Sequence, residues 1–221
     1  MSGVTWLFVI GMGAMLGLAL LFAGRRRKEI EAWAEREGLA FSHRADRAFD
    51  RQYPEFRCLH LGHSRAAYNI ASGMRNGRKL TAFDYRYVTG HGKNRSTHSF
   101  SAVIIESRVP LHPLTIRPEN AFDKVTAFFG AEDINFESTE FSGAFHVSSP
   151  EKKWSYDVLH QRTMEFLLGK PRFNLQFGTQ QVICWRNRRF GMQAREDAID
   201  VVEGILDRLP EYVLRQQKGA I

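Results

Sequence analysis

The sequence predicts an α+β protein: an N-terminal transmembrane helix, then a mainly antiparallel sheet of about seven or eight strands with short packing helices and a long C-terminal helix. Three observations predict it. Val4 to Ala23 is an uncharged run of twenty residues. At about 1.5 Å per helical residue such a run crosses the roughly 30 Å hydrocarbon core of a bilayer. Residues 56–107 carry aromatic and β-branched side chains in runs divided by turn residues, the pattern of hairpins. The helical stripes that follow are grouped between and after strands, which separates α+β from alternating α/β. The chain divides into residues 1–28, an anchor with its basic cluster, and residues 29–221, one cytoplasmic domain.

A cleaved signal peptide carries positive charge before its apolar run and small residues at the cleavage site. Here Arg25, Arg26, Arg27 and Lys28 follow the run, and Leu21-Phe22-Ala23 holds a large residue where a small one is needed. The segment therefore reads as an uncleaved single-pass anchor of the inner membrane. Basic residues are retained on the cytoplasmic side, so the short N-terminus faces out and the domain faces the cytoplasm. Arg25 to Lys28 suit anionic headgroups at about 1 kcal/mol per basic side chain, or serve as a topology signal and nothing more. Trp6 sits at the outer interface or faces lipid. Gly13-x3-Gly17 would let two such helices approach closely enough to form a homodimer.

The formal charge of the chain is +7, from 31 Lys and Arg against 24 Asp and Glu. Setting aside the four residues at 25–28 leaves 27 basic against 24 acidic side chains. That near balance argues against a nucleic-acid partner, which needs a concentrated basic face. Two cysteines, Cys58 and Cys184, lie in apolar runs and read as small buried hydrophobes rather than a disulfide or redox pair.

In order along the chain, Arg25 to Glu37 holds neither Gly nor Pro, with Ile30, Trp33 and Ala34 at helical spacing and Gly38 as a stop. Strands are predicted at 56–61, 65–74, 79–89 and 97–107, with Asn76-Gly77 as the tightest hairpin signal. In the third of these, Ala82, Asp84, Arg86 and Val88 form the wetter face. Pro118 precedes a short amphipathic helix with Ala121, Phe122, Val125, Phe128 and Phe129 on one stripe and Gly130 as its stop, and two further strands fit 133–137 and 140–148. Leu159, Thr163, Met164 and Leu167 mark a helix before Gly169 and Pro171. Strands at 173–177 and 181–187 pair through Gly178-Thr179. The chain closes on a long helix with Ile199, Val202, Ile205, Leu206 and Leu209 inward, kinked or restarted at Pro210.

The run Phe141-x3-Phe145-x-Val147-x-Ser149, then Leu159 and Met164-x2-Leu167-Leu168 before an alternating strand pair, resembles an uncharacterised bacterial family. Its members are single-pass membrane-anchored proteins with a cytoplasmic domain of unknown function. Asp84-Tyr85-Arg86-Tyr87, followed by Thr89-Gly90-x-Gly92-Lys93-Asn94-Arg95-x-Thr97-His98, is similar to a recurring stretch in such proteins. The resemblance spans roughly residues 30–210 and rests mostly on packing positions. It implies an anchored α+β domain and carries over no catalytic residue.

Among polar clusters, Gly90, His91, Gly92, Lys93, Asn94 and Arg95 form the strongest ligand-binding candidate, since amides of a glycine-rich turn beside two cations can cradle an anion. A phosphate-binding loop is a poor match: Tyr87 stands where its first Gly belongs, Asn94 replaces the Ser/Thr, and a strand follows. Cys58-x-His60-x2-His63 is the densest group of metal-ligand types but lacks a full ligand set, so no metal is expected. Asp84 has a raised pKa if it is buried, and otherwise pairs with Arg86 or another strand's arginine or faces solvent. Trp185-Arg186-Asn187-Arg188-Arg189-Phe190 interleaves basic and aromatic residues, a pattern for a partner or for acidic headgroups. No nucleophile, acid/base pair or cofactor motif is present. The expected function is non-enzymatic: binding of a protein partner or small ligand beside the inner leaflet. The alternatives are a membrane-proximal enzyme of unassigned class and a lipid-binding barrel-like domain.

Overall fold

The computed structural model describes residues 23–119 and 134–218. The predicted span Val4–Ala23 (except its last residue), Trp6 and the Gly13/Gly17 pair lie outside these residues, as does most of the helix expected after Pro118. Among the described residues no helix is long and apolar enough to cross a membrane.

The chain enters as helix α1, residues 23–36, which buries Ile30, Trp33 and Ala34 as their spacing predicts. It stops at Gly38 (φ +67°), where the Leu39 amide donates to the Ala34 carbonyl at 2.8 Å and so satisfies a last-turn acceptor. Strands β1 (Ala40–Ser42), β2 (His63–Arg75), β3 (Arg78–Thr89) and β4 (Ser96–Glu106) follow, with a short helix α2 (Phe49–Gln52) between the first two. Then come β5 (Leu114–Pro118), α3 (Thr139–Ala144), β6 (Phe145–Ser148), α4 (Lys152–Val158), α5 (Gln161–Leu168), β7 (Asn174–Phe177), β8 (Gln181–Arg186), α6 (Met192–Asp207) and α7 (Glu211–Lys218).

Among the described residues the strands form one eight-stranded sheet in the order β1-β2-β3-β4-β8-β7-β5-β6, antiparallel at every pairing. Asn76 and Gly77 close the β2–β3 hairpin, both at positive φ (51° and 71°), as the dipeptide predicts. Pro210 separates α6 from α7, a restart rather than a bend.

Each face of the sheet has its own core. On one, Ala71, Leu80, Ala82, Val103, Ile116, Leu175 and Cys184 pack under α1, α5 and α6. On the other, Phe83, Tyr85, Phe100, Ile104, Ile183 and Trp185 are roofed by Phe49, Phe56, Cys58 and Leu59. The central strands are thus buried on both sides, and the wetter face expected for β3 is covered: Ala82 and Asp84 are 1% and 0% exposed. Cys58 and Cys184 are both buried and form no disulfide among the described residues.

Four expectations about elements are corrected. Residues 56–61 are no strand, because after Pro54 the backbone turns on itself (Leu59 to Phe56, 3.0 Å; His60 to Arg57, 3.0 Å) and its apolar side chains roof the sheet. Only Phe145–Ser148 of the expected 140–148 strand is extended. The Ser138 hydroxyl accepts from the Phe141 amide and caps a helix before it. Residues 134–136 have no regular structure, although the Ile134 amide donates to Val147 at 2.9 Å. The stripe around Leu159 is divided between α4 and α5.

Candidate functional site

The chemistry of the fold concentrates where α1 meets the sheet. Asp84, at mid-strand on β3, accepts a bidentate pair from Arg26: Nε to Oδ2 at 2.9 Å and Nη2 to Oδ1 at 2.6 Å. Ser101 Oγ on β4 donates to Asp84 Oδ1 at 2.5 Å, and Asn69 Nδ2 on β2 to Oδ2 at 3.0 Å. Asn69 reaches it because β2 bulges between Tyr68 and Ala71 and Asn69 takes φ +50°, a conformation asparagine tolerates. Arg26 also donates from Nη1 to the Phe190 carbonyl at 2.8 Å, while the Phe190 amide donates to Ser101 Oγ at 2.9 Å. One carboxylate therefore ties together α1, three strands and the turn before α6.

Burial is the largest influence on Asp84 and pushes its pKa up. The Arg26 hydrogen bonds and charge, with Ser101 and Asn69, outweigh it and hold the carboxyl below the usual carboxylate range. The sequence-based expectation of a raised pKa or an Arg86 partner is corrected on both counts: Arg26 comes from the helix, and Arg86 is exposed. Of the four basic residues expected at headgroups, Arg26 is turned inward, its side chain 21% exposed against the fully buried Asp84. Arg195 on α6 lies 1% exposed above the Trp33 ring (5.0 Å), with Met192 Sδ at 3.5 Å from its Nη1 and no acceptor for Nη2 among the described residues. Burial lowers its pKa to about 10.

The Gly90–Arg95 candidate forms the tip of the β3–β4 hairpin. Gly90 and Gly92 take positive φ (70° and 58°), residues 92–94 make a single tight turn, and Lys93 and Arg95 are exposed. The His91 ring stacks on His63 at 4.9 Å, and His63 Nε2 lies 3.1 Å from the Gly90 carbonyl, so the tip is braced against the start of β2. Its cations point outward rather than converge on a pocket.

The metal-type residues are dispersed. Cys58 is in the roofing core, His60 lies 3.9 Å from Asp50 and 3.2 Å from the Tyr53 carbonyl, and His63 is engaged at the tip. Among the described residues no group of three or more metal-ligating side chains comes together.

A cleft of about 470 Å³ was not foreseen. Its floor is the row Gln176–Thr115–Ser148 across β7, β5 and β6, continuing the rung that begins with Ile183 on β8. The second face of the sheet turns from apolar to polar along that rung, at the edge of the 49–59 roof. Gln176 Nε2 donates to the Glu55 carbonyl at 2.6 Å, fixing the wall that carries Glu55 and Arg57. The alternation Asn174-Leu175-Gln176-Phe177 was the available sequence signal, but assigning its polar face to a cleft needed the strand order.

No family model matches the chain, and no curated protein sequence matches it. Among solved structures the fold is similar to that of the mycobacterial trehalose monomycolate transport factor A, TtfA, with a TM-score of 0.63 at 13% identity, covering 83% of this chain and 92% of that chain. At that identity the likeness is one of fold.

Proposed function

We propose that the chain is a single-pass inner-membrane protein whose cytoplasmic TtfA-like domain is a binding module, without catalysis of its own, that engages a protein partner beside the inner leaflet. By likeness to a transport factor, that partner belongs to machinery moving a lipid-linked cargo. The observation that carries the reading is the attachment of α1 to the sheet through Arg26, Asp84 and Phe190. A domain hung on a loose linker samples all orientations, whereas one fused to its incoming helix presents a fixed face to a membrane neighbour. The orientation is N-terminus out, with residues 25–221 in the cytoplasm.

Photo-crosslinking in intact membranes, with the crosslinker at exposed positions of α6 and α7, tests the reading. It predicts one recurrent membrane-protein adduct. Adducts spread over abundant proteins alone, or a C-terminal reporter active only outside, would refute it. A second reading, a soluble polar ligand in the cleft, is favoured by the hydroxyls of Thr115 and Ser148 on its floor. Enlarging both to Leu would abolish such binding and leave partner crosslinks unchanged.

A further inference from the structure

We infer that the end of the sheet bearing the β3–β4 tip is a lipid-facing surface that rests on anionic headgroups. The inference rests on the tether proposed above and names what the domain touches besides its partner.

The direction of α1 fixes which end of the domain faces the bilayer. Its first turn lies at the level of Asp84 and Ser101 through Arg26, and its far end reaches the β2–β3 turn, where Glu37 lies 3.6 Å from Arg75. The helix therefore runs away from the β3–β4 tip, and its first described residues lie on the tip's side. From Asp84 to Thr89 the strand continues five residues, about 17 Å at 3.3–3.4 Å each. Between Arg26 and residue 23 the helix rises only about 5 Å. The tip thus extends at least as far toward the membrane as the basic start of α1.

The charges are sorted along the same axis. No Asp or Glu occurs from Tyr85 to Ile105 or from Phe166 to Arg195. Arg86, Lys93, Arg95, Arg188 and Arg189, all exposed, belong to these stretches, beside Arg25 and Lys28 on α1. Carboxylates that lie near this end are engaged: Asp50 by Arg65 at 2.8 Å, Asp46 by the Ala48 amide at 2.8 Å and Gln52 at 3.1 Å, and Glu29 by Arg25 at 3.1 Å. The opposite end is mixed and paired: Arg75 meets Glu37 and Glu196, Arg78 meets Asp207, Lys79 meets Glu106, and Glu203 bonds Asn76. A domain of near-zero net charge therefore keeps an acid-poor, basic end on the side from which α1 starts. Each basic side chain brought to an anionic surface raises affinity about fivefold, so several acting together hold the end down.

The full chain reconstituted into phosphatidylcholine vesicles, with or without a minority of phosphatidylglycerol, tests this by amide hydrogen exchange of residues 89–98 and 186–190. Exchange there is expected to slow several-fold in the anionic vesicles at low salt. It should recover in high salt and in the Lys93→Glu/Arg95→Glu/Arg188→Glu/Arg189→Glu variant, whose exposed positions leave the cores intact. Equal exchange in both vesicles, with the chain still floating with them, overturns this inference and leaves the tether standing. A chain that floats with neither vesicle overturns the tether and this inference with it.

Discussion

Asp84 shows how a single residue sets the architecture of this protein. A carboxylate with no solvent exposure costs several kcal/mol to desolvate, and it is tolerated here because Arg26, Ser101 and Asn69 together complete its shell. Removing one partner leaves the other charge buried, so Asp84→Ala is expected to destabilise the domain by about 3 kcal/mol, read as a drop in the urea midpoint at unchanged m-value. The pair Arg26→Met/Asp84→Leu should cost less than either change alone, because no uncompensated charge remains. A fully additive double variant would contradict the coupling. The pH dependence follows from the same group. Its folded pKa lies below the unfolded value of about 3.9, so the unfolded chain binds more protons in that window. The stabilisation is complete above that value and is lost as pH falls through the depressed folded pKa. Asp84→Asn should therefore flatten the acid limb of a stability–pH curve, measured by denaturation from pH 5 downward. Arg195 is the opposite case: a buried cation over Trp33 with an unfilled donor. Arg195→Met is expected to leave the melting temperature unchanged or raise it, since it removes a desolvation cost without orphaning a bonded partner.

Among the elements, the β3–β4 hairpin has the sharpest requirement. Gly90 sits at φ +70°, and a Cβ there would collide with the Asn94 carbonyl. Gly90→Ala is expected to open the tip, destabilising by about 1–3 kcal/mol and broadening the amide signals of residues 89–96. The same change at Gly92, where nothing lies within 4 Å of an added Cβ, meets the φ penalty alone and should cost less. Elements whose order came from local chemistry were legible in the sequence: the Asn76-Gly77 turn, the Gly178-Thr179 hairpin, the Pro210 break and the inward stripe of α6. Those decided by tertiary packing were not. Phe56, Cys58 and Leu59 carry β-strand composition yet roof the sheet, because apolar side chains on a covering turn cannot be told from strand residues by composition. The basic run at 25–28 concealed Arg26, whose partner lies 58 residues away and is reached only because α1 crosses β3. The polar rung Gln176–Thr115–Ser148 spans three strands, β7, β5 and β6, whose order in the sheet is not their order in the chain.

For the whole molecule, the sheet is a divider with two cores, and its β3–β4 end is poor in acidic residues and rich in exposed basic ones. The first described helix is part of the larger core through Ile30, Trp33 and Ala34, not an appendage to it. A composition near neutrality hid that basic end, since summing charges over the domain discards where each one sits. The likeness to TtfA in fold extends over most of both chains. Fixed presentation of the domain depends on α1 being fused to the sheet, and hydrogen exchange of the full chain in a bilayer reads this directly. Amides of residues 27–36 should exchange as slowly as those of β3, and Asp84→Ala should speed the first turns of α1 before it speeds the sheet. If α1 in the unaltered chain exchanges orders of magnitude faster than β3, the helix is a loose linker and the fixed presentation of the domain is wrong.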